Sequence, residues 1–157
     1  MFEIRRVRAD EWRELRALRL ESLQDSPTAF WRRYDEDLRT TEAEWRAWTA
    51  SACFAAVDEG RFVGMVVGMP DDEQDDLADL YAMYVTPSAR GRGVGEALVQ
   101  QHLEWARQAG FRRVRLLVNV RNNGAIRLYE RCGFRDTGAR EPLRDGPETL
   151  LEMVAAL

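Results

Sequence analysis

The 157 residues predict one α/β domain in which strands and helices alternate around a mixed sheet. Three observations carry that expectation. Short apolar runs bounded by turn residues recur at 52–58, 61–69, 77–87, 113–120 and 148–157, as strands do. Segments of helical periodicity fall between them, most clearly 93–109. No internal repeat and no low-complexity linker divides the chain.

Taken in order, Phe2 to Arg8 alternates weakly and reads as a strand. Asp10 is the expected N-cap of a helix running to Gln24, with Trp12, Leu15, Leu18 and Leu23 inward. Pro27 breaks it. A short second helix would carry Phe30, Trp31 and Tyr34, and Thr40 or Thr41 would cap a third holding Trp45 and Trp48. Residues 52–58 and 61–69 flank Glu59–Gly60 and read as a hairpin. The acidic loop 71–76 leads into the strand 77–87. In the helix 93–109, Val94, Leu98, His102 and Trp105 share a face, and Gly110 stops it. A strand at 113–120, a helix at 122–131, a stop at Gly133–Phe134 and a strand at 148–157 complete the series.

Composition narrows the chemistry. The formal net charge is −4, which gives no global positive field for nucleic acid. All 23 basic residues are arginine, which fits the codon bias of a GC-rich bacterial genome. Without lysine, neither Schiff-base chemistry nor a Walker phosphate loop can be built. Cys53 and Cys132 are far apart and there is one histidine, so no thiol–imidazole metal set is expected. The N-terminus lacks a signal-peptide core and no apolar run approaches membrane-spanning length. The expectation is a cytoplasmic protein with no metal and no membrane or nucleic-acid partner.

The segment MYVTPSARGRGVGEAL (83–98) carries the strongest functional signal. A strand ends at Pro87, and a loop of Arg and Gly enters an amphipathic helix. Gly91, Gly93 and Gly95 let backbone amides approach a ligand closely. The helix start supplies unpaired N–H donors and a positive dipole end. Arg90 and Arg92 add forked donors suited to phosphate. A pyrophosphate fits these features; a turn with solvated arginines is the plain alternative. The glycine spacing is not that of a dinucleotide-binding loop.

RGRGVG (90–95) resembles the R/Q-x-x-G-x-G/A signature of GNAT acetyltransferases, with Arg90, Gly93 and Gly95 at the matching positions. NNGAIRLYERCGF (122–134) is similar to that family's N-x-x-A-x-x-L-Y-E-x-x-G-F motif, at Asn122, Ala125, Leu128, Tyr129, Glu130, Gly133 and Phe134. Two motifs in the right order are far less frequent by chance than either alone. The resemblance covers roughly residues 52–137. It implies a mostly antiparallel sheet of six or seven strands flanked by helices, its fourth and fifth strands splayed. It also implies an acyl-CoA core at 52–137, a strand and acceptor-side helices at 1–51, and a closing strand at 138–157.

On that resemblance, the strand Met83, Tyr84 and Val85 would pair with the pantetheine arm of acetyl-CoA, the co-substrate. Amides from Gly91 through Arg92, Gly93, Val94 and Gly95 to Glu96 would hold the pyrophosphate. Asn122 would bond the pantetheine arm or cap a helix; the two roles can coexist. Tyr129 matches a residue that protonates the departing thiolate, and a phenol near its ordinary pKa can serve. A core tyrosine is its other reading. Asp79, the one acid in strand 77–86, stands where relatives carry a base, or else is a solvated edge residue. Cys132 and His102 read as core groups. Phe30, Trp31, Tyr34 and Trp45 would line an acceptor lid or pack inside. The implied reaction is direct attack of a primary amine, small molecule or peptide, on acetyl-CoA in a ternary complex. The rival readings are a non-catalytic acyl-CoA-binding sensor or interaction module and a nucleotide-binding protein. Acceptor identity and oligomeric state, a homodimer included, are not legible.

Overall fold

The computed structural model describes all of residues 1–157. Seven strands are present: β1 (Phe2–Arg6), β2 (Ala52–Asp58), β3 (Arg61–Pro70), β4 (Leu77–Val85), β5 (Arg113–Asn119), β6 (Arg135–Pro142) and β7 (Thr149–Ala156). They form one sheet in the order β1-β2-β3-β4-β5-β7-β6. Only β4 and β5 run parallel; every other neighbour pair is antiparallel. The helices are α1 (Trp12–Asp25), α2 (Tyr34–Leu38), α3 (Glu42–Ala50), α4 (Val94–Gln108) and α5 (Asn123–Arg131). No helix is long and apolar enough to cross a membrane.

Each face of the sheet carries its own core. On one side α4 lies across β2, β3 and β4, burying Leu98, Val99 and Leu103 against Val66, Ala78 and Leu80. On the other, α1 and α3 bury Leu15, Leu18 and Trp45 against Cys53, Met65 and Val67. Apolar area removed from water on both faces is the main stabilising term. Gly68 permits the closest approach, since a Cβ there would sit 2.4 Å from the Trp105 ring.

Two expectations are corrected. Asp10 does not cap α1; it lies in a 3-10 turn, Ala9–Glu11, and Glu11 accepts from the Arg8 N–H at 2.9 Å. The short helix begins at Tyr34, so Phe30 and Trp31 belong to the preceding turn. Thr41 does cap α3, accepting from Glu44 N–H at 3.2 Å while Glu44 accepts from Thr41 N–H at 3.0 Å. Strand β6 is an addition. Every residue in it is exposed, so it leaves no apolar pattern to read.

β4 is bent by a bulge. Val67 pairs with Tyr81 and Met65 with Tyr84, so two steps on β3 match three on β4. Ala82 absorbs the extra residue at φ +53°. Ala78 and Leu80 join the core beneath α4 before the bulge, while Met83 and Val85 pack against it after.

Candidate active site

The sheet opens because β4 and β5 part early. Their parallel pairing covers Leu77–Asp79 and Arg113–Arg115, then stops, although β4 continues to Val85 and β5 to Asn119. Past Asp79, the edge of β4 facing β5 has no strand partner. Unsatisfied backbone groups of this kind need an acceptor, water or a ligand. A cleft of about 1400 Å³ occupies the gap and extends over both sheet surfaces.

At one end of the cleft lies the start of α4. Gly93 is its N-cap at φ +83°, and the first helical bond runs from Ala97 N–H to the Gly93 carbonyl. The amides from Gly91 to Glu96 find no acceptor within the protein. Gly91, at φ +77°, and Gly93 face open space where a Cβ would stand. Such a row suits a phosphate-bearing ligand. Gly95 differs, since a Cβ there would stand 3.2 Å from the Leu128 side chain, and its absence lets α4 and α5 pack closely.

The arginines of this loop are not free. Arg90 donates from Nη2 to Asp25 at 2.8 Å and from Nε to the Val85 carbonyl at 3.0 Å. It thus ties the loop to α1 and to the end of β4. Arg92 donates to Asp58 at 2.9 Å and is not part of the cleft wall, unlike the other residues expected to bind the donor. Tyr84 turns away from α4, and its hydroxyl donates to Glu21 at 2.8 Å.

Tyr129 sits on α5, buried at 6 % exposure, its ring edge-on to Phe134 at 5.7 Å. Helix α5 is capped by Asn122, whose Oδ1 accepts from Ala125 N–H at 3.1 Å. The Tyr129 hydroxyl makes no hydrogen bond to the protein although the residue forms part of the cleft wall. Burial pushes its pKa above the ordinary phenol value. It therefore keeps its proton throughout the physiological range.

Asp79 also borders the cleft. Both of its oxygens accept from Arg115, at 2.7 Å and 3.1 Å, and Arg115 also donates to Asp71 at 2.6 Å. Burial raises the Asp79 pKa while Arg115 opposes the rise. The backbone carbonyl of Asp79 lies 3.2 Å from His102 Nε2. His102 is wholly buried, and burial lowers its pKa to about 4, so it stays neutral. Burial pushes the Cys132 thiol up, which disfavours its thiolate form.

Of the aromatic residues expected to form an acceptor lid, Phe30 and Trp31 border the cleft, as does Trp48, whereas Trp45 lies in the core and Tyr34 stands apart. The segment around Phe30 is tethered from across the gap. Arg144 donates to the Trp31 carbonyl at 3.0 Å and to the Phe30 carbonyl, and Asn119 donates to the Thr28 carbonyl at 3.1 Å. Neither Asn119 nor Arg19, a buried arginine of α1 in the same wall, stood out in the sequence. The available signal for Arg19 was its place in the inward row Leu15, Leu18, Arg19, Ser22.

Comparison with known proteins agrees with this arrangement. A family model described as the acetyltransferase (GNAT) family matches residues 12–134. An uncharacterised N-acetyltransferase of Methanocaldococcus jannaschii is 33% identical over 105 residues, covering 59% of this chain and 46% of that one. A mycothiol acetyltransferase of Geodermatophilus obscurus is 38% identical over 104 residues, covering 63% of this chain and 33% of its own length. The matched segment thus spans about a third to a half of these relatives. An acetyltransferase from Streptococcus pneumoniae superposes with a TM-score of 0.86 at 21% identity, over 100% of this chain and 99% of its own. A putative acetyltransferase from Salmonella typhimurium, solved with its cofactor acetyl-CoA, gives 0.84 at 19% identity over 100% and 94%. At such identities the likeness is one of fold.

Proposed function

Because the chain belongs to the acetyltransferase (GNAT) family, we propose that it transfers the acetyl group of acetyl-CoA to a primary amine by direct attack in a ternary complex. One observation carries this reading above the others. A row of unpaired amides, Gly91 to Glu96, opens onto the same cleft as the unpartnered edge of β4 and the unbonded hydroxyl of Tyr129. Phosphate cradle, strand-like edge and proton donor are what a thioester donor with a pyrophosphate arm needs together.

Acetyl-CoA supplies an activated acetyl group. The chain's own residues supply position and protons. The amides of Gly91 to Glu96 would take the pyrophosphate oxygens, and the free edge at Met83 and Val85 would hold the extended arm by backbone bonds. Holding donor and amine in one cleft makes the attack effectively unimolecular. The amine nitrogen gains the acetyl carbon, the carbon–sulfur bond breaks, and Tyr129 gives the sulfur its proton. Asp79 is the candidate to receive the proton lost by nitrogen. Arg115 occupies one lone pair on each of its oxygens and leaves others for a water in the cleft. Residues 52–137 would then form the donor core, 1–51 the acceptor side and 138–157 the closing strand.

A sensor that binds acyl-CoA without turnover would have no use for a hydroxyl in the cleft wall that makes no bond in the fold, and Tyr129 carries such a group. The donor half of the reading is tested by thermal denaturation. Acetyl-CoA at about 100 times its dissociation constant should stabilise the protein by about 2.7 kcal/mol. ATP and NAD should give far smaller shifts. Equal stabilisation by ATP would move the assignment to a nucleotide-binding protein.

A further inference from the structure

One buried charge in the acceptor half of the cleft is only partly balanced within the fold. Arg19 is 5% exposed, and its guanidinium stacks near the rings of Phe30 and Trp48, at 4.9 Å and 5.4 Å from their centroids. Its Nε donates to Asp37 at 2.9 Å, its only hydrogen bond. Nη1 is buried with no partner at all. A buried donor without an acceptor is costly, and a buried cation more so. Such groups in a native fold need an explanation.

Asp37 cannot balance this charge alone, because it is shared. Arg32 donates to its other oxygen, so two guanidinium groups lean on one buried carboxylate. Arg19 and Arg32 both belong to the cleft wall. Glu36 and Glu44 act on Arg32 but are exposed, and no carboxylate other than Asp37 acts on Arg19. By contrast, Arg115 lies between two carboxylates, Asp71 and Asp79, and carries no such surplus.

We propose that the amine acceptor carries its own carboxylate, and that Arg19, held by Phe30, Trp48 and Asp37, receives that carboxylate in the acceptor half of the cleft with Arg32 beside it. A carboxylate matches the fork of a guanidinium and would satisfy the open Nη donors. The two rings fix the plane of the guanidinium before the acceptor arrives, which limits the ordering cost of binding. An acceptor without the negative group would leave the surplus charge buried and unpaired. This inference rests on the transferase reading given above and adds the class of acceptor.

The test compares matched amines on the full-length protein by CoA release. Each of a set of α-, β- and γ-amino acids and dipeptides is set against its carboxamide, with acetyl-CoA saturating. The acids should have kcat/KM values roughly 10- to 100-fold above their amides, the range expected for a charge-assisted hydrogen bond. In Arg19→Lys, which keeps charge but loses the fork, that ratio should fall towards one while the acetyl-CoA thermal shift is unchanged. The ratio is internal to one protein sample, so partial loss of folded material does not affect it. Arg32→Gln, at an exposed position, supplies a second variant and should lower the ratio several-fold. A ratio near one in the unmodified protein overturns the inference. So does a ratio that survives both substitutions, and so does a complete failure to acetylate any acid while acetyl-CoA binds. Failure of acetyl-CoA to bind instead overturns the donor reading.

Discussion

Replacing Tyr129 by phenylalanine isolates the proposed acid. The change removes one oxygen and keeps the ring that packs against Phe134. A hydroxyl bonded within the protein would cost about 1 kcal/mol when deleted. The Tyr129 hydroxyl has no such bond, so the stability change should stay within about 0.5 kcal/mol, or roughly 2 °C in melting temperature for a domain of this size. Its contribution to the barrier is of another order. General-acid terms are worth about 10²- to 10⁴-fold, or roughly 3–5 kcal/mol. Turnover measured by CoA release at saturating acetyl-CoA should fall by that factor, with acetyl-CoA affinity unchanged. The raised pKa adds a constraint, because activity should show no loss from phenol ionisation near its ordinary value of about 10. A Tyr129→Phe protein with full turnover would refute the reasoning, leaving water or the substrate to protonate the sulfur.

Other outcomes follow from the same geometry. Gly93→Val should cost about 1–2 kcal/mol of stability through its left-handed backbone. It should also weaken acetyl-CoA binding at least about tenfold by filling the space over the amides; unaltered affinity would rule out the cradle. Asp79→Asn should flatten the acid limb of the pH–rate profile with little change in acetyl-CoA affinity, whereas an unchanged profile would leave Asp79 as the anchor of Arg115. His102 gives a stability prediction with a definite sign. Its folded pKa, about 4, is below the unfolded value of about 6.5, so its contribution is whole above 6.5 and is lost as pH falls towards 4. The loss should reach about 3 kcal/mol across that window. The His102→Gln protein should lack it in pH-dependent melting; an identical slope would place the titration elsewhere.

The loop and helix starts of the proposed donor half were readable because their constraints fall on residue type. Left-handed backbone at Gly91 and Gly93 favours glycine, and the α5 cap favours a residue like Asn122. Both leave their mark in the letters. Strand β6 left none, since an exposed edge strand is held by backbone bonds that any side chain permits. The bulge at Ala82 was equally hidden, because alanine does not announce a positive φ. The acceptor half depends on pairings distant in sequence, such as Asn119 with Thr28 and Arg144 with Phe30. Arg19 alone gave a local hint, a charge set in an apolar row. The expected phosphate role of the loop arginines met a different constraint, as both are engaged by carboxylates, Asp25 and Asp58.

The bulge in β4 changes which residue numbers face α4. Even-numbered residues, Ala78 and Leu80, face α4 before Ala82, and odd-numbered ones, Met83 and Val85, face it afterwards. Deleting Ala82 would let the strand pair without interruption against β3. Every later side chain would keep its present face, Met83 and Val85 under α4 and Tyr84 on the side of α1, because Tyr81 and Tyr84 would then stand two residues apart like their partners Val67 and Met65. The same deletion made before the bulge, at Ala78 or Leu80, should be tolerated far less readily, because the residues between it and Ala82 would change face.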